Sequence, residues 1–86
     1  MPKGFAQVPV VDPADQKMGA RIAHWRKKKG LTIRKLAEQL EISKSALSRI
    51  ERGEQSLRPR DLEHLLAVFD TTIGRFYGTA PEARAS

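Results

Sequence analysis

The spacing of apolar residues predicts a chain built from helices. Between residues 13 and 77, apolar side chains recur at intervals of three and four, the period of a helix with one buried face. No stretch alternates apolar and polar residues with the period of two that is typical of a strand. The positions expected to face the core are, helix by helix, Met18, Ile22 and Trp25; Leu36, Ala37 and Leu40; Leu47 and Ile50; and Leu62, Leu65, Leu66 and Phe69. A last short helix contains Ile73, Phe76 and Tyr77. We therefore expect an all-α fold, a compact bundle of five helices.

Residues that favour helix ends separate these elements. Asp12 and Pro13 form a strong start, because the carboxylate can accept hydrogen bonds from free N–H groups and proline suits the first helical position. The other predicted starts carry a hydroxyl cap or a proline: Thr32, Ser43, Pro59 and Thr72. Gly30 and Gly53 follow the first and third helices, where a residue with positive φ commonly ends a helix. Fraying of the opening turn of the first helix is the alternative to an ordered start.

The predicted folded region covers residues 12–78. Residues 1–11 contain two prolines and a glycine without a helical period, so we interpret them as a flexible N-terminal arm. Residues 79–86 are interpreted as a disordered C-terminal tail. A chain of 86 residues has room for one small domain, whose stability we expect to be on the order of 5 kcal/mol. Dimerisation would be a natural supplement to so small a core.

Composition argues against several kinds of site. The chain has no cysteine, which excludes disulfides, thiolate metal ligands and a cysteine nucleophile. His24 and His64 have no partner at ligand spacing, and the carboxylates are expected on solvent faces or helix caps. We therefore expect no metal, no cofactor and no enzymatic activity. No apolar run approaches the roughly 18 residues that span a bilayer, and residues 1–17 do not resemble a signal peptide, so a cytoplasmic location is expected.

The net charge of +6 lies on residues 18–78, within the predicted folded region. Residues 18–78 contain thirteen Lys and Arg against seven Asp and Glu, whereas the charges outside this range cancel. A basic folded body with neutral ends suits a polyanion such as nucleic acid. The alternative is ordinary solvated charge, which charge alone does not distinguish from a binding surface.

Residues 32–53 carry the most informative pattern in the chain. They predict two short amphipathic helices joined by a tight turn, and the second helix begins with small and basic residues. Two helices held across such a turn, with the second one presenting its N-terminus outward, fit the major groove of DNA. The pattern therefore indicates a sequence-specific DNA-binding module.

A longer series of motifs contains this pattern: Arg21-Ile22, Trp25-Arg26, Gly30-Leu31-Thr32, Leu36-Ala37, Leu40, Ile42-Ser43, Leu47-Ser48-Arg49-Ile50-Glu51-Arg52-Gly53, Leu62 and Leu65. With these motifs and the spacings between them, residues 18–78 resemble the phage-repressor-like helix-turn-helix family, often called the Xre family. The resemblance implies a five-helix bundle of that type. Ala37 then lies where the second and third helices approach most closely, although alanine is also an ordinary helix former.

The resemblance implies that outward positions of the third helix read DNA bases. These positions hold Lys44, Ser45, Ser48 and Arg49. Lys44 and Arg49 can donate to guanine O6 and N7, and arginine can do so with two parallel hydrogen bonds. Taken singly, each of the four is an ordinary solvated residue. As a set on a basic helix, they favour contact with DNA.

Other residues are candidates for contacts with the DNA backbone, which position a protein without reading sequence. The candidates are Thr32, Arg34, Lys35, Ser43, Arg52, Arg58 and Arg60. Thr32 and the free N–H groups at the start of the second helix form a natural phosphate clamp. The run from Arg58 to Arg60 resembles the basic loop that phage repressors lay along the backbone or minor groove. A merely solvated loop is the alternative interpretation.

The resemblance also implies a structural ion pair between Arg26 and Glu51. We expect it to be partly buried and to hold the first helix to the end of the third. Replacing one partner should destabilise the fold by more than the pair stabilises it, because the other charge would be buried without a partner.

Two residues depart from the family pattern, since Glu41 and Asp70 stand where glycine is frequent. A left-handed conformation at Glu41 would cost about 1–2 kcal/mol, so we expect an altered or slightly strained turn there.

Four apolar residues near the C-terminus are generous for so small a core. They are Val68, Ile73, Phe76 and Tyr77. In related small repressors the final helix forms a two-fold interface, which would place two recognition helices about 34 Å apart on a palindromic site. The alternative is that all four residues belong to the core of a single chain.

Our hypothesis from the sequence is a transcriptional regulator, a repressor, that binds palindromic operator DNA as a homodimer through its third helix. One alternative is an antitoxin that binds its operator and also neutralises a toxin. Another is a protein-interaction adaptor on the same fold that has lost DNA binding. A protein partner, either a toxin or an anti-repressor, is left open. Retention of basic residues around the third helix counts against the adaptor.

Overall fold

A computed structural model describes residues 12–78 of the chain. Within this range it contains five α-helices and no strand, which confirms the all-α prediction. The helices are α1 (Pro13–Lys28), α2 (Ile33–Leu40), α3 (Lys44–Glu51), α4 (Pro59–Val68) and α5 (Ile73–Tyr77). The predicted N-terminal arm, residues 1–11, and the predicted C-terminal tail, residues 79–86, lie outside the described residues.

Four of the helices begin at a side-chain cap, as their sequences predict. In each case the side-chain oxygen accepts a hydrogen bond from a backbone N–H in the first turn, which would otherwise lack a partner. The pairs are Asp12 with Ala14 at 2.8 Å, Thr32 with Lys35 at 3.0 Å, Ser43 with Ala46 at 3.0 Å and Thr72 with Arg75 at 3.2 Å. Helix α4 begins with Pro59 and has no side-chain cap. These caps give the bundle short helices with defined starts.

The core forms where the apolar faces of all five helices meet. Its buried residues are Ile22, Leu36, Ala37, Leu40, Leu47, Ile50, Leu65, Phe69 and Phe76. The ring of Trp25 lies 5.9 Å, centroid to centroid, from the rings of both Phe69 and Phe76. Aromatic pairs at this separation add stabilisation beyond the area they bury. The aromatic cluster therefore fixes α4 and α5 against α1.

Helices α1 and α3 approach so closely that only glycine fits between them. A Cβ atom on Gly19 would overlap the carbonyl oxygen of Ile50 and lie 2.5 Å from that of Glu51. Glycine in the middle of a helix costs about 1 kcal/mol relative to alanine, so its presence here is explained by the contact and not by helix propensity. Gly19 therefore sets the distance between α1 and α3.

Replacement of Gly19 by alanine tests this contact. Because the added methyl group meets backbone atoms, Gly19→Ala should lower the free energy of unfolding by about 1–3 kcal/mol despite the better helix propensity of alanine. Urea denaturation followed by circular dichroism measures the change. Ala20→Gly, at an exposed position of the same helix, is the control and should cost about 1 kcal/mol through propensity alone. A Gly19→Ala protein more stable than the wild type would contradict the assignment.

Candidate nucleic-acid interface

The turn between α2 and α3 sets the angle at which α3 is presented. Glu41 adopts the left-handed conformation, with φ 60° and ψ 41°. The next N–H group, that of Ile42, donates to the carbonyl oxygen of Ala37 at 3.0 Å, which closes the turn. The backbone thus keeps the conformation that glycine usually adopts at this position in the family. A side chain in this conformation costs about 1–2 kcal/mol, so the turn is held by the packing of the two helices.

The other end of α3 is held by an ion pair with α1. Nε of Arg26 lies 2.8 Å from Oε2 of Glu51, and Nη2 lies 3.1 Å from Oε1, so the two planar groups meet through two parallel hydrogen bonds. The side chains are only 10% and 8% exposed. A third hydrogen bond, 2.9 Å long, joins Nη1 of Arg26 to the carbonyl oxygen of Leu31. Arg26 thereby ties α1, the connection to α2 and the end of α3 together.

The outer surface of α3 brings together the four residues predicted to read bases. Lys44, Ser45 and Arg49 are exposed, and Ser48 is half-buried. With Arg52 they line a shallow depression of about 400 Å³. Its lining contains three basic side chains and two hydroxyl groups and no carboxylate. This surface can donate hydrogen bonds to an electronegative partner, although the carboxylate of Glu54, outside the lining, pairs with Arg52.

The seven residues predicted to contact the DNA backbone are all exposed, and one of them, Arg52, lines this depression. They are Thr32, Arg34, Lys35, Ser43, Arg52, Arg58 and Arg60. Three of them occupy the cap and first turn of α2, and two others occupy the start of α4. Thr32 and Ser43 accept capping hydrogen bonds through their oxygens. Their hydroxyl hydrogens remain able to donate to a phosphate.

Asp61 corrects the expectation that carboxylates lie on solvent faces or caps. The residue is 3% exposed, and Oδ2 accepts a hydrogen bond from Nε of Arg58 at 3.2 Å. Its burial follows from its register, because Asp61 lies four residues before Leu65 and eight before Phe69, on the buried face of α4. The same periodicity would have predicted it. The buried carboxylate holds the exposed guanidinium of Arg58 at the N-terminus of the helix.

The loop after α3 supplies acceptors that the sequence pattern did not predict. Glu54 accepts two hydrogen bonds from Arg52, Nε to Oε2 at 3.0 Å and Nη2 to Oε1 at 3.1 Å. These hydrogen bonds from Arg52 hold the pKa of Glu54 below its usual range. One residue further on, Oε1 of Gln55 accepts a hydrogen bond from Nε of Arg49 at 3.0 Å. Two arginines of the interface are therefore held by neighbouring loop residues.

A comparison with protein families decides what this arrangement is. The model of a family described as "Helix-turn-helix domain" matches residues 17–86 of the chain. The chain belongs to this helix-turn-helix family. Members of the family have a DNA-binding fold, and the interface described above lies on the second helix of the motif. A comparison with curated proteins gave no match.

Solved structures of regulators share the fold of this helix-turn-helix domain. The master regulator for biofilm formation SinR, solved in complex with DNA, is 38% identical and has a TM-score of 0.63; the match covers 70% of this chain and 97% of the SinR chain. The clp gene regulator ClgR from C. glutamicum is 24% identical and has a TM-score of 0.72, over 81% of this chain and 90% of the ClgR chain. A second ClgR structure gives a TM-score of 0.73 at 25% identity, over 88% and 81% of the two chains. The fold is that of DNA-binding transcriptional regulators.

Residues 12–78 of this helix-turn-helix domain contain neither a metal-binding cluster nor a membrane-spanning helix. In that range no group of three or more His, Cys, Asp or Glu residues is arranged to hold a metal ion. His24 and His64 are exposed on α1 and α4. No helix in the described range is long and apolar enough to cross a membrane.

The predicted dimer-interface residues of the domain do not share one environment. Ile73 is 54% exposed, whereas Val68 and Tyr77 are half-buried. Phe76 is only 1% exposed and stacks within the aromatic cluster of its own chain. The ring of Phe76 is enclosed by Trp25 and Phe69 of its own chain, which is the core alternative for this residue. Ile73 is the large apolar side chain that the described part of the chain leaves exposed.

Proposed function

We propose that this chain is a sequence-specific repressor of transcription that inserts α3 into the major groove of operator DNA. The observation that carries the proposal is the outer face of α3, where Lys44, Ser45, Ser48 and Arg49 are grouped with Arg52 and no carboxylate lines the surface. An α-helix with its side chains is about 10–12 Å in diameter, which suits a major groove about 12 Å wide. The net charge of +6 favours the approach of a polyanion.

Arg49 is the central base-reading residue in this proposal. A guanidinium group can donate two parallel hydrogen bonds to O6 and N7 of guanine, the commonest specific contact in the major groove. Lys44 can donate to the same acceptors, while Ser45 and Ser48 can pair with several base edges. A base pair read by such a contact is favoured over its replacements by about 1–3 kcal/mol.

Backbone contacts on both sides of α3 would set the register. Thr32, Arg34 and Lys35 cluster at the N-terminus of α2, where free N–H groups and the helix dipole favour a phosphate. Arg58 and Arg60 lie at the start of α4, after the loop that follows α3. Each such contact strengthens binding to every sequence and makes binding dependent on salt.

The proposed active form is a homodimer on a palindromic operator. Ile73 supports this proposal, because a large apolar side chain that is 54% exposed on α5 would be covered by a second copy. A two-fold axis would place two α3 helices in successive major grooves, about 34 Å apart. Occupation of a site that overlaps a promoter would exclude polymerase, which is repression in its simplest form. The similarity to SinR also supports the proposal, since that regulator was solved in complex with DNA.

Arg49→Ala tests the base-reading role. Loss of two hydrogen bonds to one guanine should reduce discrimination at that base pair by about 5- to 150-fold, which corresponds to 1–3 kcal/mol. Selection from a random DNA pool identifies the operator, and binding to single-base variants measures the discrimination. Thermal unfolding of the variant should match the wild type, because Arg49 is exposed. Unchanged discrimination at every position would remove Arg49 from the reading set.

Arg58→Ala is the matched test of a backbone contact. Removal of one phosphate contact should weaken binding to all sequences alike and reduce the slope of log K against log salt by about one. Titrations at several salt concentrations with operator and unrelated DNA measure both quantities. The variant leaves Asp61 buried without its arginine, so its stability is measured alongside. An unaltered slope would show that Arg58 contacts no phosphate.

Ile73→Asp tests the proposed dimer. A charge in the interface should convert the protein to a monomer and abolish cooperative binding to a two-half-site operator, whereas binding to one half-site persists. Sedimentation velocity and binding to operators with one or two half-sites measure these properties. Glu63→Asp, at an exposed position of α4, is a control that preserves charge. A wild-type protein that sediments as a monomer both free and on DNA would contradict the dimer.

A further inference from the structure

The arginine proposed to read bases is engaged within the chain. Nε of Arg49 donates to Oε1 of Gln55 at 3.0 Å, across the junction between α3 and the following loop. Both residues are exposed, so burial does not force the contact. Gln55 also lines a cleft of about 340 Å³ with residues of the α2–α3 turn and the start of α4, which places it beside the edge of the recognition surface.

The geometry of a guanidinium group gives this hydrogen bond a consequence. Arginine can offer guanine either the pair of terminal nitrogens, Nη1 and Nη2, or the side edge formed by Nε and one Nη. The hydrogen bond to Gln55 occupies Nε, so the side edge is no longer free. Arg49 is then restricted to an end-on approach through its terminal nitrogens, with the plane of the group set by the amide.

The hydrogen bond to Gln55 also reduces the conformational entropy that the side chain of Arg49 would lose on binding DNA. A long exposed side chain samples many rotamers, and fixing it at an interface lowers affinity by about 2- to 10-fold. Arg49 is already restrained in the free protein, so less freedom remains to be lost. This smaller loss of entropy applies only to the correct base. A base whose acceptor lies elsewhere would require Arg49 to break its hydrogen bond to Gln55.

The neighbouring pair shows why a neutral acceptor matters. Glu54 holds Arg52 in a similar way, but its carboxylate cancels the charge of the arginine. Gln55 orients Arg49 through an amide oxygen and leaves the positive charge intact. The two arginines therefore have different direct partners. Arg52 is hydrogen-bonded to the carboxylate of Glu54, whereas Arg49 is hydrogen-bonded to a neutral amide and interacts with Glu54 only through space.

We propose that Gln55 is a positioning residue that determines base specificity by orienting Arg49 for end-on contact with guanine in the major groove. The inference rests on the proposed function, since it requires that Arg49 reads a base. It assigns no direct DNA contact to Gln55. The preference at one base pair is therefore shared by two residues, of which only one touches it.

Gln55→Ala is the first test. With the acceptor removed, the preference for the base pair read by Arg49 should fall by about fivefold, within the range for freeing one long side chain. Affinity for unrelated DNA and the salt slope should not change, because no charge is altered. Gln55→Glu keeps an acceptor for Nε and should retain the preference at that base pair, although the added charge lowers overall affinity.

A double-mutant cycle with Arg49→Ala separates positioning from direct contact. If Gln55 acts through Arg49, Gln55→Ala should have no further effect on base preference in the Arg49→Ala background. Additive effects would overturn the proposal, since they would mean that Gln55 contacts DNA independently. Glu54→Gln is the matched control in the same loop: it should strengthen binding to all sequences and steepen the salt slope by up to about one, with base preference unchanged.

The outcomes distinguish this inference from the proposed function. Loss of preference in Arg49→Ala with full preference in Gln55→Ala would overturn the role of Gln55 and leave the DNA-binding function standing. A wild-type protein that prefers no base pair at any position would overturn the function, and the inference with it. Equal thermal unfolding of the wild type and of Gln55→Ala is expected, because both side chains of the contact are exposed.

Discussion

The seating of α3 on α1 is the constraint on which the rest of the structure depends. A helix of eight residues has little stability of its own, so its orientation comes from tertiary contacts. Gly19 brings the two backbones together, and the enclosed ion pair between Arg26 and Glu51 fixes the end of α3. Replacing one partner of such a pair strands a buried charge, which is far more costly than losing the pair as a whole. The outer face of α3 is positioned because its inner face is tightly held.

Local rules predicted most of the fold. Caps at Thr32 and Ser43 and the period of Leu36, Leu47 and Leu65 depend on short stretches of sequence, and helices are governed by such stretches. Contacts between residues far apart in the sequence could not be predicted from such local patterns. Gly19 resembles an unfavourable residue inside a helix until the backbone of α3 is placed beside it. Phe76 could belong to the core or to an interface, and only packing against Trp25 distinguishes the two.

The sequence predicted which side chains lie on the proposed DNA-binding surface, but it did not predict the hydrogen bonds that these side chains make. Periodicity shows that Lys44 and Arg49 lie opposite the buried face of α3, which defines the surface. It does not show what an exposed side chain bonds to, because a loop can place many residues beside it. The acceptors Glu54 and Gln55 follow α3 without any periodic pattern, so their pairing with arginines emerged only from the folded chain.

Trp25 gives this domain an optical probe whose position is informative. It is the one tryptophan of the sequence, and its ring lies among Phe69 and Phe76 with the ammonium group of Lys28 5.1 Å from its centroid. Its emission therefore reports how α4 and α5 are seated on α1. A shift of α5, whose Phe76 ring lies 5.9 Å from that of Trp25, reaches the indole directly. Contacts made by α3 reach it only through the core.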